Sequence, residues 1–188
     1  MPTALGFRTH TGWAVMCAVR AGSPLTLVSR TRVQMCPSTV PADAYHAAAA
    51  DRDDLKKAEK LISRVVAASV RGARAAIRSA GEDVVAVALV NEPRDLPSLS
   101  RILGSHALIH SAEGDMYREV VAEAAEAEGL RVFHFSATDL GAGGRQDLLR
   151  AFGEAVGTPW QREHKDAAVA AVMALEQVGA RARVPRSP

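Results

Sequence analysis

Three residues whose side chains exchange protons or bind metals recur at helical spacing near the middle of the chain. His106, His110 and Glu113 stand at positions i, i+4 and i+7, and a helix with about 3.6 residues per turn places them on one face. That face also carries apolar residues typical of a core, namely Ile109, Met116, Tyr117, Val120 and Ala124. Because imidazole and carboxylate groups act as general acids and bases, we interpret His106, His110 and Glu113 as candidate catalytic residues.

Two other interpretations of this helix remain open. A structural role also explains the histidines, and in that case backbone groups satisfy their ring nitrogens. Histidines one turn apart also bind zinc, but the known helical zinc signature has a glutamate next to the first histidine, where this chain has Ala107. The sequence therefore predicts no metal site and no cofactor. His46 and His134 are interpreted as structural residues.

Length and composition are typical of a single soluble domain. The chain has 188 residues, of which 48% are hydrophobic and 23% charged, and we predict one domain over residues 1–180 and a flexible basic tail over 181–188. No apolar stretch reaches the roughly 18 residues of a membrane span, and no signal peptide is recognised. We expect a cytoplasmic protein with no membrane partner, and Cys17 and Cys36 as buried thiols. The formal net charge of +2 does not by itself indicate a nucleic-acid partner.

The hydrophobic pattern predicts an alternating order of strands and helices after an initial strand meander. Strands are predicted over residues 3–8, 13–19, 25–35, 83–90 and 130–136, and helices over 54–80, 98–128, 147–156 and 160–178. The second of these helices is expected to be irregular at Gly104 and Gly114. This βββαβαβα order, with one additional small helix before the last, indicates an α/β protein with one mixed sheet and helices on both faces.

The helix predicted over residues 54–80 has a basic face. Its cations are Lys56, Lys57, Lys60, Arg64, Arg71, Arg74 and Arg78. A face of this kind either contacts phosphate groups or is simply solvated, and the sequence leaves both interpretations open.

Four short segments, together with the element order, carry a resemblance to a known family. They are Leu5–Arg8, Thr11–Val15, Ala86–Asn91 and Lys165–Ala170. The chain resembles the ribonuclease H-like superfamily over nearly its whole length, and is most similar to the RuvC-type resolvase branch. The resemblance implies a ribonuclease H-like fold.

The resemblance also implies where catalytic groups would lie. Nucleases of this fold hold two divalent cations with acidic residues on the first strand, at the end of the fourth strand and on the last helix. In this sequence the first position corresponds to Arg8 and the second to Leu89, and only Asp166 remains on the last helix. An arginine at the centre of the site would repel both cations. The resemblance therefore predicts the fold but a degenerate nuclease site.

The same fold brings the ends of these three elements to one rim. We therefore predict a ligand-binding group composed of Arg8, His10, Asn91, Glu92, Lys165 and Asp166. Arginine, lysine and histidine favour an anionic ligand such as a phosphate or carboxylate. Two structural alternatives remain: Arg8 pairs with Asp166, and His10 is a solvated turn residue.

Three classes of function follow from these patterns. The first is a catalytically degenerate relative of nucleases that binds nucleic acid or a protein partner. The second is an enzyme with a histidine, glutamate and arginine site that acts on a phosphorylated or acidic small substrate. The third is a structural scaffold without a ligand. None of the patterns predicts an oligomeric state.

Overall fold

A computed structural model shows one five-stranded mixed sheet with strand order β3-β2-β1-β4-β5. The structure describes residues 1–182, with the side chains of residues 1–179. The strands are β1 (Thr3–His10), β2 (Trp13–Arg20), β3 (Thr26–Gln34), β4 (Val84–Val90) and β5 (Arg131–Phe135). The predicted α/β architecture and its mixed sheet are confirmed.

The first three strands form the predicted meander. Strand β1 pairs antiparallel with β2, with Arg8 opposite Val15, and β2 pairs antiparallel with β3. Gly12, in the turn between β1 and β2, has a positive φ of 82°, a conformation that glycine adopts without a Cβ clash. Strand β1 pairs parallel with β4, with Phe7 opposite Leu89, and β4 pairs parallel with β5. The carboxyl ends of β1, β4 and β5 therefore meet at one edge of the sheet.

Seven helices connect and cover these strands within the described residues. They are α1 (Ala44–Ala48), α2 (Leu55–Ser79), α3 (Leu99–Leu103), α4 (His106–Glu126), α5 (Ala137–Gly141), α6 (Gln146–Val156) and α7 (Arg162–Ala182). The Asp54 side chain accepts a hydrogen bond from the backbone N–H of Lys57, at 3.1 Å, and so caps α2 as its sequence predicts.

Each face of the sheet has its own core. Leu5, Phe7, Val87 and Leu89 pack with α2 and α4 on one face. On the other face, the alternate residues Ala4, Ala86, Ala88 and Val90 pack with α6 and α7. The period of two in strand side-chain direction produces this division. Helices therefore lie on both faces of the sheet, as the sequence predicts.

The long helix predicted over residues 98–128 is divided in two. Helix α3 ends at Leu103, Gly104 follows in a helical conformation, and Ser105 is extended before α4 begins at His106. The irregularity predicted at Gly104 is confirmed, whereas Gly114 lies inside a regular helix.

The carboxyl-terminal end of the described chain is helical. Helix α7 extends to Ala182, so the predicted tail begins inside the helix, and its residues 183–188 lie outside the described residues. Among the helices of residues 1–182, none combines the length and the apolarity needed to cross a lipid bilayer.

Candidate functional site

Three histidine side chains meet where α1 packs against the beginning of α4. His46 lies on α1, and His106 and His110 lie one turn apart at the start of α4. The centroid of the His46 ring is 5.4 Å from that of His106 and 4.7 Å from that of His110, and the latter two rings are 4.4 Å apart. One ligand atom from each histidine lies within 4.8 Å of the other two. We call these residues the histidine cluster.

Apolar contacts determine the position of His46. Ala48 of α1 is fully buried and packs with Ala58 of α2 and Leu103 of α3, and Tyr45 joins the same contact. Tyr45 also packs beside Ile109 of α4. Because the residues on either side of His46 are held by three helices, its imidazole is held over the first turns of α4.

Glu113 is a buried carboxylate that contacts one member of the histidine cluster. Only 3% of its surface is exposed, and its Oε1 accepts hydrogen bonds from the backbone N–H of His46 at 3.2 Å and from the His46 ring Nδ1 at 2.9 Å. Since an ionised carboxylate only accepts hydrogen bonds, Nδ1 carries the proton. The Nε2 lone pair of His46 is then available to a proton or a metal ion.

The sequence predicts that Glu113 acts with His106 and His110 and that His46 is structural. The structure shows His106 and His110 in mutual contact, but the imidazole that Glu113 holds is His46. His46 is separated from Glu113 by 67 residues, so no helical periodicity relates the two. The only sequence signal was a histidine in the connection before α2. The catalytic role of His106, His110 and Glu113 stays a prediction.

A second group of polar residues lies at the carboxyl ends of β1 and β4 and at the start of α7. His10 Nε2 is 3.1 Å from Oε1 of Glu163. Its ring stacks on Trp13 with centroids 4.1 Å apart, and the Arg32 guanidinium lies 3.9 Å from the Trp13 ring centroid. Burial lowers the pKa of His10 below its ordinary value, Glu163 opposes this, and Arg8 and Arg32 add to the lowering. His10 is half-buried at the end of β1, stacked on Trp13 and beside Glu163, so it is not a solvated turn residue.

The other predicted rim residues are distributed over this edge rather than joined in one contact. Asn91 directly follows β4 and has a φ of 73°. Its carbonyl lies 3.4 Å from Nδ1 of His134, while Glu92 is exposed. Asp166 Oδ2 is 3.7 Å from Nε of Arg162, and no ion pair between Arg8 and Asp166 occurs among the described side chains.

Lys165 faces a different environment from the rest of the rim group. It lines a cavity of about 550 Å³ between α6 and α7, together with Arg150, Glu154 and Trp160. Ligand binding by the six predicted rim residues stays a prediction.

A buried ion pair lies beside this rim and was not predicted from the sequence. Asp115 and Arg118 of α4 pair with each other and are 4% and 6% exposed. Burial lowers the pKa of Arg118, and the neighbouring cations Arg94 and Arg8 lower it further. Arg94 and Arg8 are therefore both within electrostatic reach of Arg118.

These residues do not fit a two-cation site of the nuclease type. Arg8, which the resemblance aligns with the first-strand position, is half-buried, and Leu89, which it aligns with the fourth-strand position, is apolar and fully buried. The remaining carboxylate, Asp166, lies beside Arg162. Two Mg²⁺ ions require several oxygen ligands and no competing cation, so we derive no metal-dependent cleavage from this edge.

The basic face of α2 contains cations that are paired with carboxylates and cations that are not. Lys57 pairs with Asp51 at 2.7 Å, and Arg74 and Arg78 both pair with Glu128, at 2.7 Å and 2.9 Å. The other four are exposed and have no carboxylate partner among the described side chains: Lys56, Lys60, Arg64 and Arg71. At about 100° per residue these four lie within an arc of about 80°, and they span about 22 Å of helix. We call them the α2 stripe.

Comparisons with known proteins identify the fold. No family model matches the sequence, and no curated protein matches it. Solved structures similar to this chain include Thermus thermophilus RuvC in complex with a Holliday junction substrate, with a TM-score of 0.59 and 12% identity over 96% of each chain. They also include a structure of Thermus thermophilus RuvC, with a TM-score of 0.52 and 14% identity over 94% of this chain and 96% of that chain. This likeness and the mixed five-stranded sheet show that the chain has a ribonuclease H-like fold.

Proposed function

We propose that this protein is a nucleic-acid-binding domain of ribonuclease H-like fold that does not use two-metal cleavage chemistry. The observation that carries the proposal is the α2 stripe, four exposed cations aligned on one helix face without carboxylate partners among the described residues. Cations that are already paired with carboxylates, such as Arg74 and Arg78, contribute less to a phosphate contact because the carboxylate competes for the guanidinium.

The chemistry of phosphate binding explains why alignment matters more than net charge. Each phosphate that a protein cation neutralises releases condensed counterions, so affinity falls with salt in proportion to the number of contacts. A modest net charge of +2 is compatible with this, since the positive charge is concentrated on one helix face. The likeness to RuvC, whose complex with a Holliday junction substrate has been solved, supports a nucleic-acid ligand over a small anion.

The test measures how binding to duplex DNA and to a four-way DNA junction depends on salt. Four phosphate contacts predict a slope of log affinity against log salt of about −3.6 on duplex DNA, at about −0.9 per contact. Replacing all four stripe residues, Lys56, Lys60, Arg64 and Arg71, by glutamine is expected to reduce this slope to near zero. Thermal melts establish that the variant remains folded, as expected for exposed helical positions.

A matched variant controls for total charge. Arg52, Arg94, Arg101 and Arg131 are also exposed, have no carboxylate partner among the described side chains and are dispersed over the chain, so replacing them by glutamine removes the same charge. We expect this control to retain most of the affinity and most of the salt slope. The proposal is wrong if the protein does not bind at about 50 mM salt, or if the two variants lose affinity equally.

A further inference from the structure

We propose that His46, His106 and His110 bind one divalent transition-metal ion of the zinc class, and that Glu113 orients His46 for this purpose. This inference does not depend on nucleic-acid binding, because no residue of the α2 stripe takes part in it. It departs from the sequence prediction of no metal site, which considered Glu113 as the third group instead of His46.

The geometry of the histidine cluster suits such an ion. Imidazole nitrogens are preferred ligands of zinc, cobalt and nickel, whereas magnesium and calcium prefer oxygen. The ligand atoms lie within 4.8 Å of one another, and a tetrahedral zinc site with bonds of about 2.0–2.1 Å needs separations of about 3.4 Å. His106 and His110 are exposed, so rotation of their side chains brings the three nitrogens together without a change in the core.

The buried carboxylate provides an independent reason for a metal site. Burying a charge is unfavourable unless it is paired and hydrogen-bonded, yet Glu113 is 3% exposed and is aimed at the backbone and ring of His46. Metal-binding histidines commonly donate their second ring N–H to a carboxylate, which fixes the tautomer and increases the basicity of the ligating nitrogen. The negative charge of Glu113 also offsets the positive end of the α4 dipole, which would otherwise disfavour a cation.

A structural role or a general-base role explains fewer of the contacts of His46, His106, His110 and Glu113 than a metal site does. A structural role accounts for His46, whose ring is hydrogen-bonded, but not for the exposed His106 and His110, whose ring nitrogens bond to no other described residue. A general base held by a carboxylate requires only His46 and Glu113. A metal ion accounts for all three imidazoles. Three protein ligands leave a fourth position for water or an anionic ligand, which is the arrangement of reactive rather than purely structural zinc sites.

The experiment uses the full chain without a histidine tag, treated with a chelator and then titrated with Zn²⁺ by calorimetry. We expect one Zn²⁺ per chain. In parallel, Co²⁺ should give the visible absorption of tetrahedral coordination by nitrogen and oxygen, and Mg²⁺ should not compete. Zinc should also raise the melting temperature, since a ligand that binds only the folded state stabilises it.

Variants distinguish zinc binding by the histidine cluster from adventitious zinc binding elsewhere on the protein. The double variant His106→Ala/His110→Ala changes only exposed side chains and is expected to fold normally and to lose zinc binding. Glu113→Gln should weaken zinc affinity by about 10- to 100-fold while one ion per chain still binds at high zinc. His134→Ala, which removes an imidazole elsewhere, is the matched control and should bind as the wild type does. The proposal is overturned if the wild type binds no zinc, or if the double variant binds zinc as tightly as the wild type.

Discussion

We predict that Arg8 distinguishes this chain from a two-metal nuclease, because the resemblance aligns it with the first metal-binding carboxylate. It lies near the end of β1, half-buried, and within electrostatic reach of Arg118 and His10. A guanidinium at this point repels divalent cations and occupies the space of a metal-binding carboxylate. The same group stabilises a phosphate oxygen, so the substitution is compatible with binding while it opposes cleavage.

We therefore predict no Mg²⁺- or Mn²⁺-dependent cleavage of four-way DNA junctions or of RNA–DNA hybrids. The measurement incubates labelled substrates with excess protein and separates the products on denaturing gels. Asp166→Asn is the control, because Asp166 is the carboxylate that the resemblance aligns with a metal-binding residue of such nucleases. Metal-dependent cleavage by the wild type that this variant abolishes would show that the prediction is wrong.

Strand β1 and helix α7 are in close backbone contact at Gly6. A Cβ built at this position would lie 1.8 Å from the carbonyl oxygen of Ala167 and 2.9 Å from the backbone nitrogen of Ala171. These neighbours are backbone atoms of a regular helix, so they cannot move aside as a flexible side chain does. This contact places the start of α7, with Glu163 and Asp166, beside the carboxyl end of β1.

Gly6→Ala is therefore expected to destabilise the protein by about 1–3 kcal/mol, the usual range for overpacking a core. Denaturant unfolding monitored by circular dichroism measures the change in the free energy of unfolding. Gly141→Ala is the matched control, since a Cβ there meets nothing within 4 Å, and it should be neutral or slightly stabilising. Equal stability of the Gly6→Ala variant and the wild type would contradict the proposed close contact.

Helices and strands were predictable from the sequence where a single hydrophobic period, helical or alternating, runs through the segment. The residues of the histidine cluster were predictable only where they lie on the same helix. Apolar spacing identified α2, whose observed limits are Leu55–Ser79, because its amphipathic pattern and its Asp54 cap agree. The capping box of Ser136 and Asp139 that begins α5 was missed, because a helix of one turn has too few apolar residues to show a period. His46 was missed because its proximity to α4 arises from tertiary packing of Tyr45 and Ala48.

In the whole molecule, both proposals place function on the same face of the sheet. The histidine cluster lies between α1 and α4, and α2, which carries the stripe, packs with both of these helices. The carboxyl-edge residues His10 and Glu163 belong instead to β1 and α7, on the side of the other core. Loss of zinc binding is thus expected to leave the basic stripe intact, and the two proposals are tested separately.

Overall stability should depend on pH through two histidines at the other side of the sheet. Burial lowers the pKa of His164, Arg30 adds to this, and Glu163 opposes it, just as burial lowers the pKa of His10. His164 Nδ1 also accepts a hydrogen bond from the backbone N–H of Gln161 at 3.0 Å, and protonation of that nitrogen would break this bond. Both effects favour neutral imidazoles in the folded protein.

The sign of the effect follows from proton binding. In the unfolded chain both histidines have an ordinary pKa of about 6.5, so below that pH the unfolded state binds more protons than the folded state. Stability therefore falls as pH decreases from about 6.5 towards the lowered folded values, and rises with pH over the same window. The measurement is urea unfolding of the wild type and of the double variant His10→Asn/His164→Asn at about pH 8 and about pH 5. Because both proteins contain the same carboxylates, the difference between their changes in unfolding free energy is the contribution of the two histidines. We expect the wild type to lose more stability than the variant as the pH falls, and parallel curves across the whole range would contradict the assigned cause.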